Sequence, residues 1–402
     1  MKFFKIKFTL FLLVISFYSV LAQSSVQYTF DNCDYKEAQG LLADVTVTGN
    51  PDCVCGLNGN SLLFDGNDTL VFPKTYSDLF IRESYTFDFY FTLVDVQSDM
   101  DIFATSANCI GNDSTMTLKY LTANDELLFF MGSSSNNFMI NLTKLDPSVC
   151  WHRFTLVKSE TEYFYYLDNV LQERFVSREN IPVSKTNPLT FGANKCSVLG
   201  SVPMNGQLDN ISWTERALSP LEIAASYLFP DQIVTRDTTI FTGSSVSIAM
   251  GSSCAQTAGW SPLDNLDLTN PFAPIATPDE STTYTSVINY RHCTITDTVR
   301  IYVVDEDDID CNSILLPKAF TPNNDGLNES YGISNQFILE GMEFFQIFDR
   351  SGAKLWEAQT EFSNWDGTFK GQPMTSGLYF YKVKYRCKGE EFLKIDSFTL
   401  IR

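Results

Sequence analysis

Short stretches in which apolar and polar residues alternate constrain the fold of this 402-residue chain most strongly. Between Tyr85 and Leu93, the side chains of Phe87, Phe89, Phe91 and Leu93 fall on one side of an extended chain. A period of two residues indicates a β-strand with one buried face. Clusters of Gly, Asn and Asp favour turns between further stretches of this kind, such as Phe154–Val157, Phe164–Leu167 and Tyr379–Tyr385. The pattern predicts an all-β fold made of sandwiches or jelly rolls.

One short helix is expected within this β-structure. Ser219 and Glu222 form a capping box, and Pro220 occupies the first helical position. We predict a helix that starts there and ends near Phe229. The consecutive aromatic residues Tyr163–Tyr166 must point to alternate sides of their strand, so some of them face outward.

The first 22 residues have the pattern of a secretory signal peptide. Three lysines precede an apolar run from Phe8 to Tyr18, about half the ~20 residues that a membrane-spanning helix needs. Small residues then precede a cleavage point. We expect residues 1–22 to be removed during export. No later segment is apolar enough to cross a membrane, so we do not expect an integral membrane protein.

The charge balance limits the possible partners. The formal net charge is −20 at pH 7. An acidic surface repels the phosphates of nucleic acid, so we expect no nucleic-acid partner. The same surface favours solubility and attracts divalent cations.

Ten cysteines in an exported chain predict disulfide bonds. Cys254 and Cys293 are placed to pair within one domain, and Cys311 and Cys387 within another. The other six allow 15 pairings, which the sequence does not distinguish; they are Cys33, Cys53, Cys55, Cys109, Cys150 and Cys196.

Residues 26–229 contain a series of short motifs in a characteristic order. These motifs are Ser61–Gly66, Cys150–Val157, Tyr165–Asn169, Leu189–Gly192, Gly206–Ser212 and Arg216–Ile223. In this order they resemble the laminin G-like, concanavalin A-like jelly roll, although Asn169 stands where that family has Gly. The resemblance implies a domain that binds glycans or proteins and often holds a calcium ion.

The resemblance directs attention to three carboxylates as calcium ligands: Asp31, Asp44 and Asp209. Calcium requires six to eight oxygens, several of them from backbone carbonyls that a sequence does not reveal. The alternative is that Asp209 caps a turn and Asp31 is a surface acid.

No catalytic residue is assigned. Glycosidases on related jelly rolls need two carboxylates about 5–10 Å apart. Asp99 and Asp101 have the nearest spacing, but they fall in a loop-like stretch that favours a solvated acidic turn. His152 has no second histidine near it, which favours a structural role beside Trp151. We therefore expect a protein that is not an enzyme, with a divergent polysaccharide hydrolase as an alternative.

Residues 231–305 have the features of a separate small domain. Its motifs are Gly243–Ile248, Trp260–Leu266, Pro278–Thr285 and Cys293–Tyr302. They resemble the PKD-like, immunoglobulin-like spacer modules of bacterial surface proteins. Trp260 is expected in the core of a small sandwich. The acidic run Asp305–Asp310 follows as a solvated linker.

Residues 313–402 carry the most specific set of motifs: Phe320–Asn328, Ile347–Gly352, Trp365–Thr368 and Ser376–Tyr381. Their order and spacing resemble the type B sorting domain of type IX secretion cargo, also called the gliding motility-associated C-terminal domain. The matching motif residues are Phe320, Pro322, Asp325, Gly326, Arg350, Gly352, Trp365, Asp366, Gly367 and Gly377. Asp349 replaces the family's Asn, and Ser351 stands where Trp is usual. The resemblance implies recognition by the type IX secretion machinery.

The first sorting motif also has a direct physical interpretation. Pro, Asn, Asp and Gly in succession form a turn, since Pro fixes φ and Gly supplies a positive φ. Asn323, Asp325 and Asn328 are further candidate calcium ligands. The turn alone accounts for them.

Together, these features predict a concanavalin A-like jelly roll followed by two small β-sandwich domains. The leading hypothesis is a non-enzymatic protein, exported to the cell surface or medium, whose jelly roll binds a glycan or a surface protein. The alternative is a structural or adhesive surface component that recognises no small ligand.

Removal of residues 313–402 should leave the protein in the periplasm, because the tail alone carries the type IX address. Fractionation of cells that express the truncated and full-length chains measures this. Export of the truncated chain at the full-length level would contradict the sorting assignment.

Overall fold

The computed structural model describes residues 25–40, 42–57, 59–73, 76–105, 115–132, 138–146, 149–177, 188–192, 201–251, 254–323 and 328–402. The fold is all-β, as the alternation predicts. The predicted signal segment 1–22, Cys109, Cys196, Asp325 and Gly326 lie outside the described residues. The chain forms two compact units, Met1–Ile223 and Ala224–Arg402.

Within the described residues, the first unit contains sixteen strands and the start of a second short helix. Its elements are β1 (Ser25–Tyr28), β2 (Thr46–Thr48), β3 (Asp52–Cys55), β4 (Asn60–Asp65), β5 (Thr69–Val71), α1 (Ser77–Phe80), β6 (Ser84–Leu93), β7 (Met100–Ala104), β8 (Thr115–Leu121), β9 (Glu126–Gly132), β10 (Phe138–Lys144), β11 (His152–Ser159), β12 (Glu162–Leu167), β13 (Val170–Val176), β14 (Thr190–Phe191), β15 (Val202–Pro203), β16 (Asn205–Thr214) and α2 (Pro220–Ala225).

These strands form the two sheets of a jelly roll. The first sheet has the order β13-β12-β11-β6-β16-β4-β3, and β1 also pairs with β16. The second has the order β10-β9-β8-β7-β14-β5-β2, and β15 pairs with β7 in parallel. Long-range pairings such as β6 with β11 and β16 bring distant segments together.

Aromatic side chains fill the space between the two sheets. Phe87, Phe89 and Phe91 are fully buried, which confirms the face predicted from the alternation. The Phe87 ring stacks on Trp213 with centroids 4.7 Å apart, and Phe89 stacks on Phe154 at 5.1 Å. Buried aromatic rings remove large apolar areas from water and dominate the stability of such a core.

The outer side of the first sheet is covered where α2 lies. Phe164 and Tyr166 point outward from β12, as expected, but they pack against Ile223 and Leu218. The capping box is confirmed, because the Ser219 amide donates to Glu222 Oε2 at 2.9 Å and the Glu222 amide donates to Ser219 Oγ at 3.3 Å. The predicted end at Phe229 is wrong: the helix ends at Ala225, with Ile223 as its buried residue.

The second unit begins with a small sandwich. Its strands are β17 (Thr238–Phe241), β18 (Val246–Ser247), β19 (Thr257–Ser261), β20 (Leu266–Asp267), β21 (Ile275–Ala276), β22 (Thr282–Asn289) and β23 (Thr294–Val304). They form the sheets β17-β23-β22-β19 and β18-β21-β20. Trp260 lies in the core, as predicted, beside Tyr284 and Val299. Its Nε1 donates to the Pro271 carbonyl at 2.7 Å. The PKD-like resemblance and the domain boundaries stay predictions.

The tail forms a second small β-domain with its own core. Its strands are β24 (Ala319–Phe320), β25 (Gly341–Phe348), β26 (Lys354–Glu357), β27 (Thr368–Phe369), β28 (Gln372–Pro373), β29 (Gly377–Cys387) and β30 (Glu390–Leu400). The main sheet has the order β24-β30-β29-β25-β26, and β27 pairs with β28. Short 3-10 helices span Glu306–Asp308 and Gln336–Ile338. Tyr331 stacks on Phe398 in the core, with centroids 3.6 Å apart.

Disulfide bonds link distant segments in both units. Cys311 pairs with Cys387, as predicted, and Cys33 pairs with Cys53. Cys55, Cys150, Cys254 and Cys293 are also disulfide-bonded, while the Cys254–Cys293 pairing itself stays a prediction. Among the described residues, no helix has the length and apolarity to cross a membrane.

Replacing both Cys311 and Cys387 by Ala should destabilise the tail by about 4 kcal/mol, because the bond closes a long loop in the unfolded chain. The two cysteines are 76 residues apart in the sequence. Hydrogen exchange of β29 amides, followed by mass spectrometry under oxidising conditions, measures the loss. The matched control replaces Cys33 and Cys53 and should leave β29 exchange unchanged. If the β29 amides exchange equally slowly in the unmodified chain and in both double variants, the account is contradicted.

Candidate functional site

Two of the three predicted calcium ligands come together at one end of the jelly roll. Asp209 lies in β16, where the pairing with β6 shifts register between Asp209 and Ser212. Asn210 takes a positive φ of 48° at this irregularity. A bulge of this kind redirects side chains. It lets Asp209 Oδ2 accept a hydrogen bond from the Leu57 amide, 152 residues away in the sequence, at 2.9 Å.

Two glycines make room for the two carboxylates in the turn between β3 and β4. A Cβ atom on Gly56 would lie 2.5 Å from Asp209 Oδ2, and one on Gly59 would collide with Asp31 Oδ1. Gly59 also has a φ of +109°, which side chains disfavour. The Gly56 amide donates to the Gly59 carbonyl at 2.9 Å and closes the turn. We call Asp31, Gly56, Gly59 and Asp209 the carboxylate cradle.

The electrostatics of the cradle favour a cation. The pKa of Asp209 is raised to about 7, first because burial removes water from the carboxylate and also because Asp31 adds a like charge. Hydrogen bonds from the Leu57 and Asn210 amides act in the opposite direction. Among the described residues, the groups that shift the pKa of Asp209 include no lysine or arginine. A bound cation would offset both the desolvation and the repulsion.

The chemistry of the cradle fits calcium, which combines carboxylates with backbone carbonyls and water. In the described ranges, no three His, Cys, Asp or Glu side chains cluster as metal ligands. Carbonyls and water would therefore supply most of the shell. Asp209 also caps the turn through the Leu57 amide. Its interpretation as a turn cap is therefore compatible with its interpretation as a calcium ligand. Asp44 is exposed, and no described contact joins it to Asp31 or Asp209.

The second sheet presents a patterned outer surface. Leu118 of β8 and Phe129 of β9 face the core. Because side chains alternate along a strand, the residues next to each of them face outward. The register of β7 to β10 aligns the outward-facing residues in two rows across the sheet. One row contains Asp101, Lys119, Leu128 and Leu142, and the other contains Thr117, Phe130 and Ile140. We call these seven residues the jelly-roll outer face. Ile140 and Leu142 are 53% and 54% exposed, and Leu128 and Phe130 are half-buried.

A buried polar cluster lies at one side of this face. Asp101 Oδ1 is 2.8 Å from Lys119 Nζ, and the Ser201 hydroxyl donates to Asp101 Oδ2 at 3.0 Å. Lys119 Nζ in turn donates to Ser201 Oγ at 3.1 Å. The expected solvated turn at Asp101 is therefore wrong: Asp101 is buried in β7, where Lys119 directly opposite offsets its charge. Asp99 stays at the edge and accepts from the Thr122 amide at 2.9 Å.

His152 takes part in a contact that shapes the β12–β13 turn. Its Nδ1 is 2.8 Å from Asp168 Oδ2, while Asp168 Oδ1 accepts from the Arg153 amide at 2.7 Å. Asp168 and Asn169 both have a positive φ, of 49° and 66°. Asn tolerates this conformation, which explains how it replaces the family's Gly at this position. His152 thus ties the turn to β11.

Some of the sorting motif residues form the interior of the tail, while Arg350, Gly352 and Asp366 are exposed. Phe320 and Trp365 are buried, with ring centroids 5.6 Å apart. Trp365 Nε1 donates to the Thr368 carbonyl at 2.8 Å, and Asp366 accepts from the Thr368 amide at 2.9 Å. Gly367 has a φ of +79° beside Pro322. These residues shape turns and core packing.

Arg402 links the turn that contains Pro322 to the turn that contains Gly367. Its guanidinium donates to the carbonyls of Pro322, Gly367 and Met374, each at 3.1 Å. Thr321 and Asn328 close the first turn through a 2.9 Å backbone hydrogen bond, and the Asn323 amide donates to the Thr321 carbonyl at 2.8 Å. The calcium role of Asn323, Asp325 and Asn328 stays a prediction, with Asp325 outside the described residues.

The loop that contains Arg350 and Gly352 is closed by its own side chains. Asp349 Oδ1 accepts from the Ser351 hydroxyl and from the amides of Ser351 and Ala353, the amides at 2.8 and 2.9 Å. The Ser351 hydroxyl, and then the Ala353 amide, lower the pKa of Asp349. Gly352 has a φ of +87°, and Arg350 is exposed. Asp349 thus fills the capping role open to the Asn that the family usually shows.

Two family models match the chain. Residues 64–224 match the concanavalin A-like lectin/glucanases superfamily, and residues 314–398 match the type IX secretion signal domain. Comparison with curated proteins found no match.

Several solved structures resemble the chain at low identity. Domain 4 of AbnA, a GH43 extracellular arabinanase from Geobacillus stearothermophilus solved with arabinotriose, is 15% identical, with a TM-score of 0.40; the match covers 50% of this chain and 96% of that one. The binding domain of botulinum neurotoxin DC in complex with SialylT is 9% identical, with a TM-score of 0.42 and coverages of 93% and 92%. These values indicate nothing about what this chain binds.

Calcium should stabilise the first unit through the carboxylate cradle. At ~100-fold excess over the dissociation constant, a ligand specific to the folded state adds about 2.7 kcal/mol. Thermal unfolding with calcium and with chelator measures the shift. We expect Asp209→Asn to abolish the shift and Asp44→Asn, the matched control, to retain it. A shift of the same size in Asp209→Asn contradicts the cradle as the site.

Proposed function

Because the chain joins a concanavalin A-like domain to a type IX secretion signal domain, we propose that it is a non-enzymatic surface protein whose jelly roll binds a glycan or a surface protein. The signal domain directs the chain through the outer membrane to the cell surface or the medium. The secretion machinery is therefore one partner. The ligand of the jelly roll is the second.

The jelly-roll outer face is the observation that carries the proposal. It combines exposed aliphatic side chains, Ile140 and Leu142, with the half-buried ring of Phe130. The buried Asp101–Lys119 pair lies beside these residues and holds β7 against β8. Partly apolar surfaces with a few fixed polar groups are typical of ligand sites, and aromatic rings stack on apolar faces of partners.

Calcium in the carboxylate cradle would support this role. The residues that would hold it are Asp31 and Asp209, together with carbonyls of the turn between β3 and β4. A calcium ion there would neutralise the two carboxylates and fix this turn against β16. In this proposal the ion stabilises the domain.

A structural or adhesive role without a small ligand is the second candidate. The edge strand β13 favours it, since Val170 and Val176 are 62% and 57% exposed. Exposed aliphatic residues on an edge strand suit contact with another protein. A hydrolase has less support: Asp101, the buried acid of the outer face, is engaged by Lys119 and Ser201 rather than placed opposite a second carboxylate.

Binding of the full-length purified chain to a glycan array, with calcium and with chelator, tests the proposal. We expect binding that the double substitution Ile140→Thr and Leu142→Thr reduces by roughly tenfold or more, as for residues at the centre of an interface. The matched control, Val170→Thr with Val176→Thr, should bind as the unmodified chain does.

Other outcomes distinguish the alternatives. Absence of binding to any glycan, together with a loss of cell adhesion when the protein is deleted, favours the structural role. Turnover of a polysaccharide by the purified chain refutes the non-enzymatic proposal.

A further inference from the structure

The aromatic residues of the sorting motif do not themselves form a surface that the secretion machinery can recognise. Phe320 and Trp365 are 1% and 0% exposed, and Gly367 is enclosed by Pro322 and Leu400. A partner protein cannot contact such side chains while the domain is folded. These three residues therefore define the shape of the domain, while Arg350, Gly352 and Asp366 are exposed motif residues. Apolar contact with a partner depends on another set of residues.

One face of the main tail sheet is open and partly apolar. Tyr379, Tyr381 and Val383 of β29 point into the core, so the residues between them point outward. The outward residues of the three central strands include Phe344, Phe348, Leu378, Phe380, Lys382, Leu393 and Ile395. We call these seven residues the tail outer face.

Lys382 and Lys384 separate the apolar members of this face on the central strand β29. Phe380 lies opposite Phe348 on β25, and Lys382 lies opposite Ile395 on β30. Leu393 and Ile395 are 56% and 61% exposed, and Leu378 is 51% exposed. Several exposed apolar residues on one face of a folded domain indicate an interaction site, because their exposure to water has no compensating gain within the chain.

The charges around this face differ from those of the whole chain. Lys382 Nζ lies over the Phe344 ring at 5.2 Å, and Lys384 pairs with Glu343 and Glu391 at 2.5 and 3.0 Å. Arg386 is exposed beyond them on β29. The chain as a whole carries −20. Cations at the border of an apolar surface complement a partner whose border is acidic.

A cleft lies at the end of this face. Its volume is about 220 Å³, and its lining includes Glu343, Lys384, Arg386 and Glu391. The cleft is large enough for one side chain of a partner. Its charged lining places Lys384 and Arg386 at the end of the face, while Lys382 lies among the apolar residues on the central strand β29.

We propose that the tail outer face is the surface by which the type IX machinery recognises this domain. The partner is a protein of that machinery that presents an apolar surface with an acidic border. The folded domain docks Leu393, Ile395 and Phe380 against it, and Lys382 and Arg386 orient the contact. The proposal rests on the sorting assignment and adds the surface that performs it.

Export of the full-length chain carrying Leu393→Thr and Ile395→Thr tests the proposal. Threonine keeps the preference for β-structure while it removes apolar surface. We expect secretion into the medium or to the surface to fall by roughly tenfold or more, with the chain retained in the periplasm. The matched control is Leu315→Thr with Phe362→Ser, which changes two residues that are 59% and 68% exposed elsewhere in the tail.

A second variant tests the contribution of charge to the face without removing apolar side chains. Lys382→Glu should reduce export, because it places a carboxylate opposite an acidic partner. Arg300→Glu is its control, since Arg300 lies over the Tyr302 ring at 5.0 Å in the spacer. Thermal unfolding of each purified variant confirms that the tail is folded.

The outcomes separate this proposal from the sorting assignment. Unchanged export of both face variants, combined with retention of the chain truncated at residue 312, overturns the proposed surface and leaves the assignment intact. Export of the truncated chain overturns both. Loss of self-association in the face variants with unchanged export would assign the face to a second copy of this chain instead.

Discussion

Alternation of side chains along paired strands is the constraint on which the rest of this structure depends. In β6 it directs Phe87 and Phe89 into the jelly roll, and in β29 it directs Tyr379 and Tyr381 into the tail core. Burial of these rings stabilises both domains. The same alternation places every second residue on the opposite face of the sheet. Whether that second face is buried or exposed depends on what covers it.

The outer faces of the sheets differ in how far they are covered by other residues. On the first jelly-roll sheet, Phe164 and Tyr166 are covered by residues near α2 and add to the stability. On the second sheet and on the main tail sheet, Ile140 and Ile395 stay exposed. We connect these two open faces with two binding events, one with the ligand of the jelly roll and one with the secretion machinery. The residues that specify the fold and those proposed to bind partners are therefore adjacent in sequence but opposite in orientation.

Local patterns in the sequence predicted the features that depend on local chemistry. The β-class, the capping box at Ser219 and the burial of Trp260 follow from spacing and residue type, and the Cys311–Cys387 bond followed from two cysteines in one domain. The helix end at Ala225 was not predicted, because it depends on which residues find a partner in the core.

Features that depend on distant segments were beyond such patterns. The ion pair of Asp101 requires Lys119 on the neighbouring strand, and the sequence alone suggested a solvated turn. The approach of Asp31 to Asp209 requires a bulge in β16 and two glycines in a turn more than 140 residues earlier. Likewise, a period of two shows that a strand has an outer face but not whether a helix covers it.

Site-specific photo-crosslinking in secreting cells tests the central claim, that open sheet faces bind partners, most directly. A photoreactive amino acid at position 395, on the tail outer face, is compared with one at position 362, which is exposed elsewhere in the tail. The account predicts a crosslink to a protein of the secretion machinery from position 395 and none from position 362. A crosslink from position 362 alone would contradict it.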